Sequence, residues 1–265
     1  MASKGNGGTN EGRIMSADNI SRVFSKVKAF GELVHGYRDE EAEELYYSLP
    51  DQDKRLFSEI AKAILLFTGG HVAAVRNPQS FEEDKAKKLF DGFTSGQNLP
   101  QTYFEVEAID PNWVPSLKDY SNANGILYIL MNSVVSSDKM IFRGLKELPA
   151  NIFLDLTKPG SVYDIGSIVS TTTSKHIASS FAKKPYSLVY WIKNDKAKGI
   201  DVSRSSMFVH EKETIISGKI RIDNITWGTY RGLNSWDMLV KEVTEIENAN
   251  GKGGIGTVKV EATLL

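Results

Sequence analysis

The sequence predicts an α+β fold, with helices ahead of strands. Three observations lead there. Apolar residues between positions 20 and 90 recur at helical spacing. From about residue 139 the texture changes to short apolar or alternating runs, separated by Gly, Pro, Asn and Ser. Helices grouped first and strands grouped afterwards depart from the β-α-β alternation of a parallel sheet.

The first helix is marked by Ile20, Val23, Phe24, Val27, Phe30, Leu33 and Val34. Ser16 or Asp18 can cap its start and Gly36 can end it. A short helix is expected over 40–48. A longer one is expected over 51–67, with Leu56, Ile60, Ile64 and Phe67 on one face and Gly69-Gly70 as the stop. Ser80-Phe81-Glu82-Glu83 has the form of a capping box opening a helix through Phe90. Residues 93–119, with Pro100, Pro111 and Pro115, read as loop. A helix is expected over 120–135. Strands are expected at 139–143, 165–170, 187–193, 206–209, 213–217, 219–228 and 256–264. The glycine-rich stretch 251–256 lacks the Lys-Ser/Thr ending of a phosphate loop and reads as a hairpin turn. There is no internal repeat.

Composition narrows the function. The chain has 265 residues, 41% hydrophobic and 25% charged, which suits a globular protein with a real core. A net charge of −1 lacks the basic surplus of a duplex-coating protein, so no direct nucleic-acid role is expected. With no cysteine, disulfides, thiolate metal sites and cysteine nucleophiles are excluded. The histidines, His35, His71, His176 and His210, have no zinc-motif spacing, and no metal is expected. No run approaches the roughly 18 apolar residues of a membrane helix. Residues 1–14 read as a flexible tail without the apolar core of a signal peptide. Residues 15–265 are expected to form one domain, helical over 15–118 and strand-rich over 119–265.

Three short stretches carry chemistry. In Met140-Ile141-Phe142-Arg143-Gly144-Leu145 an arginine near a strand end offers a fork of donors suited to phosphate, and Gly144 leaves room for a planar ligand. Gly166-Ser167-Ile168-Val169-Ser170-Thr171-Thr172-Thr173-Ser174 is a strand running into a hydroxyl-rich turn, where hydroxyls can bond a ribose, orient a carboxylate or cap a helix. In Phe208-Val209-His210-Glu211-Lys212-Glu213-Thr214-Ile215-Ile216 two carboxylates two residues apart on an extended segment point the same way, a costly repulsion without a cationic partner or a function. His210 reads as a loop residue rather than a base.

The order of these stretches, with separations of 27 and 43 residues between Arg143, Ser170 and Glu213, resembles the Arg–Ser–Glu class of mono-ADP-ribosyltransferases. The stretch from Pro159-Gly160 to Asp164, then Ala178 with Phe181-Ala182, and Gly199-Ile200 fall where that family has matching residues. Thr172 departs from the second serine common there but keeps a hydroxyl. The resemblance covers roughly residues 120–265.

It implies a fold of two roughly perpendicular sheets forming an NAD cleft, with N-terminal helices alongside. It implies NAD as co-substrate and release of nicotinamide. Glu213 would face the nicotinamide ribose, Ser170 would hold Glu213, and Arg143 would bind the phosphates with Gly144 close to the nicotinamide. Thr171 and Thr172 would add to the NAD site, Phe181 would stack on nicotinamide, and Lys184 would add a phosphate contact. Glu211, the first Glu of Glu-x-Glu, would orient and deprotonate an acceptor arginine on a target protein. The loop 203–210, with Phe208, would recognise that target. A monomer is expected, delivered by a non-classical route and acting in the target cell's cytosol. The alternatives are an NAD glycohydrolase with the same site, and a non-catalytic protein that kept the fold.

Overall fold

The computed structural model describes residues 16–94, 101–134, 136, 138–182, 186–206, 208–227, 235–249 and 255–265. They fall into two compact units. The first takes the chain to Val134 together with 202–209, and the second takes 135–201 and 210–265.

The first unit is helical: α1 (Ala17–His35), α2 (Asp39–Tyr47), α3 (Asp51–Thr68), α4 (Val72–Arg76), α5 (Glu83–Thr94), α6 (Thr102–Glu105) and α7 (Leu117–Ser133). In the apolar stripe of α1, Ile20, Val23, Val27 and Phe30 are buried completely. So are Phe57, Ile60, Ile64 and Phe67 of α3, and Ile126, Leu127 and Leu130 of α7. Phe30 meets Phe57 and Tyr103 edge-on, with ring centroids 5.3 and 4.8 Å apart, a favoured aromatic geometry. Ser16 caps α1, its hydroxyl accepting from the Asn19 amide. The guanidinium of Arg22 grips the nearly buried Asp53 carboxylate with two bonds of 2.6 and 2.8 Å, which holds that carboxyl below its usual range.

Ser80 does not cap a helix. It ends a 3₁₀ turn, Pro78–Ser80, and its hydroxyl donates back to the Asn77 carbonyl; α5 starts three residues later at Glu83. A true capping box stands instead at Ser116 and Asp119, opening α7 inside the stretch expected to be loop.

The second unit contains β1 (Met140–Leu145), α8 (Ala150–Asp155), β2 (Val162–Thr172), α9 (Lys175–Ser180), β3 (Leu188–Lys193), β4 (Ile200–Asp201), β5 (Glu213–Trp227), α10 (Trp236–Asn248) and β6 (Val258–Leu264). Its sheet has six strands in the order β2-β1-β3-β6-β5-β4. An added β2–β5 ladder links the two ends of that run, so the pairing forms a circuit. Among the described strands only β3 and β6 run parallel. The long strands β2 and β5 each serve several neighbours. Midway along their ladder Gly166 faces Gly218, at φ +101 and +115, beside register shifts. Two facing glycines in that region let both strands change direction together, which L residues resist. One face of the sheet packs against Phe153, Leu239 and Val243 of α8 and α10 over a core that includes Ile141, Tyr190, Ile192, Ile222 and Val260.

The α+β class is as expected; several boundaries are not. The strand expected at 206–209 is absent among the described residues there, where Val209–Glu211 is a 3₁₀ turn. The short strand lies earlier, at β4, paired with Ile215 and Thr214. The run 213–217 and the described part of 219–228 are one continuous strand, because Gly218 bends the chain without ending its pairing. α10 was not anticipated, although Ser235 caps it and Trp236, Leu239, Val243 and Ile246 have helical spacing. The glycine stretch 251–256 follows α10 in the chain and precedes β6; residues 250–254, on which the hairpin-turn expectation falls, lie outside the described residues. The tail 1–14 lies outside them too. Among the described residues no helix is long and apolar enough to cross a membrane.

Candidate active site

A cavity of about 200 Å³ opens in the second unit where β1, β2, the start of β5 and α9 converge. Register explains the convergence. The β2–β5 ladder sets Thr172 opposite Glu213, Thr171 opposite Thr214 and Ser170 opposite Ile215. Ser170 and Glu213 are thus diagonal neighbours across the ladder, within side-chain reach. The Ser170 hydroxyl hydrogen-bonds the Glu213 carboxylate. β1 joins β2 through the single pair Phe142–Thr172, which leaves space beside Arg143. One Arg143 guanidinium nitrogen donates to the Ser170 carbonyl.

Glu213 is only 4% exposed. Burial drives its carboxyl up to about 7; the Ser170 hydrogen bond opposes this, the negative charge of Glu211 adds to it, and Arg143 opposes it. Burial also raises the half-buried Glu211, against a small lowering by His210. The site therefore holds two carboxyls whose proton affinity lies above the ordinary range, beside one permanent cation.

The two glutamates do not share a strand as expected. Glu211 ends the 3₁₀ turn, Lys212 adopts φ +49, and Glu213 is the first residue of β5. A non-glycine residue in that left-handed region is uncommon and must be held. Thr172 holds it: its hydroxyl donates to the Glu211 carbonyl at 2.6 Å and accepts from the Ser174 amide at 2.9 Å. The Thr173 amide donates to the Lys212 carbonyl at 3.1 Å. The Thr171 hydroxyl is engaged by the Thr214 carbonyl at 2.6 Å.

Gly144 sits where α9 crosses β1. A Cβ there would lie 2.0 Å from the Ala178 carbonyl oxygen and 3.0 Å from the Phe181 Cβ. Close packing of α9 thus requires this glycine before any ligand is considered. Phe181 caps the C-terminal end of α9 and is 46% exposed at the cavity.

Arg143, Gly144, Ser170, Thr171, Thr172, Phe181, Glu211 and Glu213 all line this cavity. The same wall includes Phe142 and Ile177, whose apolar character looks like ordinary core in the sequence, and Ala178, which the sequence marks only as a match to the family and not as a site residue. Lys184 lies outside the described residues. Phe208 belongs to the first unit and is not in the lining; its amide donates to Ser206 Oγ at 3.1 Å. A larger cavity of about 580 Å³ lies in the first unit, lined in part by Lys54, Glu59, Lys118 and Asp119. Glu59 is engaged by Asn122 and Asp119 by the Ser116 cap, so it presents no comparable catalytic set. Among the described residues no cluster of His, Asp or Glu could hold a metal ion.

No protein-family model matches the chain, and no curated protein does. Among solved structures it is similar to the Vis toxin, an ADP-ribosyltransferase from Vibrio splendidus, at 12% identity and a TM-score of 0.43, over 94% of this chain and 86% of that one. It is similar to the ADP-ribosyltransferase HopU1 of Pseudomonas syringae pv. Tomato at 16% identity and a TM-score of 0.45, over 95% and 88%. It is also similar to Plx2a, an ADP-ribosyltransferase toxin from Paenibacillus larvae, at 16% and 0.41, over 89% and 96%.

Two stability outcomes follow from the site. Gly144→Ala forces α9 off β1 and should cost about 1–3 kcal/mol, the usual range for overpacking, read as a lowered Tm. Glu213→Gln removes a group that the folded state prefers protonated. For a carboxyl raised to about 7, the folded wild type loses stability as pH climbs from the unfolded value through 7. The Tm of Glu213→Gln relative to wild type should therefore rise between pH 5 and 8; a constant difference would show that Glu213 ionises normally.

Proposed function

We propose that this protein is an NAD-dependent mono-ADP-ribosyltransferase that modifies arginine side chains of a target protein. The observation that carries the reading is the buried Glu213, hydrogen-bonded to Ser170 in a cavity that also holds Arg143 and Glu211. A buried carboxyl beside a fixed cation and a second carboxyl is costly to maintain, and a reaction passing through a sugar cation gives it a use.

The cavity is below the 300–1,000 Å³ that usually buries a drug-sized ligand, so it suits the nicotinamide–ribose end of NAD and not the whole dinucleotide. Phe181 offers an aromatic face for the nicotinamide ring, and Arg143 offers guanidinium donors for phosphate. Nicotinamide carries its positive charge before the reaction and needs no general acid. The bond from its nitrogen to ribose C1′ breaks, and the electron pair leaves with nicotinamide. Positive charge develops on the ribose facing ionised Glu213. An acceptor guanidine nitrogen forms the new bond at C1′, and its proton passes to Glu211, whose proton affinity burial raises. Ser170 fixes the direction of Glu213 throughout.

The test uses NAD labelled in its adenylate half, incubated with the protein and a cell lysate. Label should appear on protein arginines with equimolar nicotinamide. Glu213→Gln should lower nicotinamide release by about 100-fold or more, the scale of one lost electrostatic contact in a dry site. Glu211→Gln should keep slow NAD hydrolysis and lose transfer. Label found only in free ADP-ribose would make the protein a glycohydrolase. Intact NAD would overturn the reading.

A further inference from the structure

Arg143 and Glu213 stand on strands that are not neighbours in the sheet. Among the described strands β1 and β5 share no ladder; each pairs with β2, and β1 does so through one residue pair. A side-chain bond within the same unit ties them more directly. Glu213 lines the cavity, and successive strand side chains point to opposite faces, so Thr214 turns its hydroxyl to the far side of β5. Thr214 is 0% exposed, and its hydroxyl donates to the Asp138 carboxylate at 3.0 Å. Asp138 stands two residues ahead of β1, the strand that carries Arg143.

Both ends of this bond are anchored. The Asp138 carboxylate also accepts from the Ser136 hydroxyl at 3.2 Å. The Asp138 carbonyl accepts from the side-chain amide of Asn194 at 3.0 Å, and the Lys139 carbonyl accepts from the Asn194 backbone amide at 2.9 Å. Asn194 is fully buried and binds the Lys198 carbonyl and amide as well. On β5 the Thr214 carbonyl accepts from the Thr171 hydroxyl at 2.6 Å. A buried hydroxyl is costly unless bonded, so the Thr214 donor and the Asp138 acceptor hold each other in place.

We propose that Asp138 is a positioning residue that, through the Thr214 hydroxyl, fixes Glu213 relative to Arg143 for cleavage of NAD. This rests on the transferase reading of the site. In that reading Arg143 holds phosphate and Glu213 faces the ribose. A slip of β5 against β1 then misplaces the carboxylate in the transition state without removing a group that binds NAD.

The experiment measures kcat and KM for nicotinamide release from NAD, for the full chain and its variants. Thr214→Val removes the donor, and Thr214→Ser keeps it. Asp138→Ala removes the acceptor, and Asp138→Asn keeps an acceptor while removing the charge. Thr263→Val is the control: it breaks another Thr–Asp bond of this unit, from Thr263 on β6 to Asp223 on β5 at 2.6 Å. Thr214→Val and Asp138→Ala should each lower kcat about tenfold, a barrier change of about 1.4 kcal/mol, and hold KM within about twofold. The two together should lower kcat no further than either alone, because they remove one bond. Thr214→Ser and Asp138→Asn should keep kcat within about twofold of wild type, and Thr263→Val should leave it unchanged. If Asp138→Ala does not fold, the contrast between Thr214→Val and Thr214→Ser decides. Losses that add in the double variant, a loss in Thr263→Val equal to that in Thr214→Val, or an unchanged kcat in Thr214→Val overturn this role and leave the transferase reading intact. A wild-type chain that cleaves no NAD overturns both.

Discussion

The candidate site depends on one unfavourable arrangement, a carboxylate held almost out of water. Glu213 gives up most of its hydration and retains one hydroxyl bond and one nearby guanidinium. Removing such a group from solvent costs far more than a surface ion pair returns. Neighbouring features keep it there. The β2–β5 ladder fixes its backbone, Ser170 its side chain, and the Thr172 hydroxyl the left-handed turn immediately before it. The hydroxyl-rich end of β2 is thus a frame for β5 as much as a surface for a ligand.

Two glycines illustrate a second constraint, backbone approaching backbone. Gly144 admits the Ala178 carbonyl of α9, and Gly31 admits the Arg204 carbonyl against α1. Neither needs an unusual dihedral; both need an absent Cβ. The first shapes the wall of the cavity, and the second seats segment 202–206 on α1. In each case a local loss of intrinsic helix or strand stability is exchanged for a close backbone approach.

Legibility in the sequence follows the range of the physics involved. The stripes of α1 and α3 and the strand character of β1, β2, β3 and β6 are local patterns, and they read correctly. Arg143, Ser170 and Glu213 were named from short strand-end motifs, and the register brings their cavity together. The turn at Lys212 was not legible, since its φ of +49 is imposed by bonds from Thr172 and Thr173, some forty residues away. Ser80 and Ser116 both precede an acidic residue by three positions, and tertiary context decided which became a cap. The need for glycine at position 31 rests on a partner more than 170 residues away. No local pattern carries that, whereas α10 has a readable period.

The most direct measurement is the pH dependence of kcat/KM for nicotinamide release from NAD. The proposed reaction needs Glu213 ionised, and its carboxyl is raised to about 7 by burial. The rate should therefore climb with pH through an inflection near neutrality and level off above it, and Glu213→Gln should abolish that inflection. An inflection near 4.5, or a profile unchanged in Glu213→Gln, would contradict the assignment of Glu213 as the charge that stabilises the transition state.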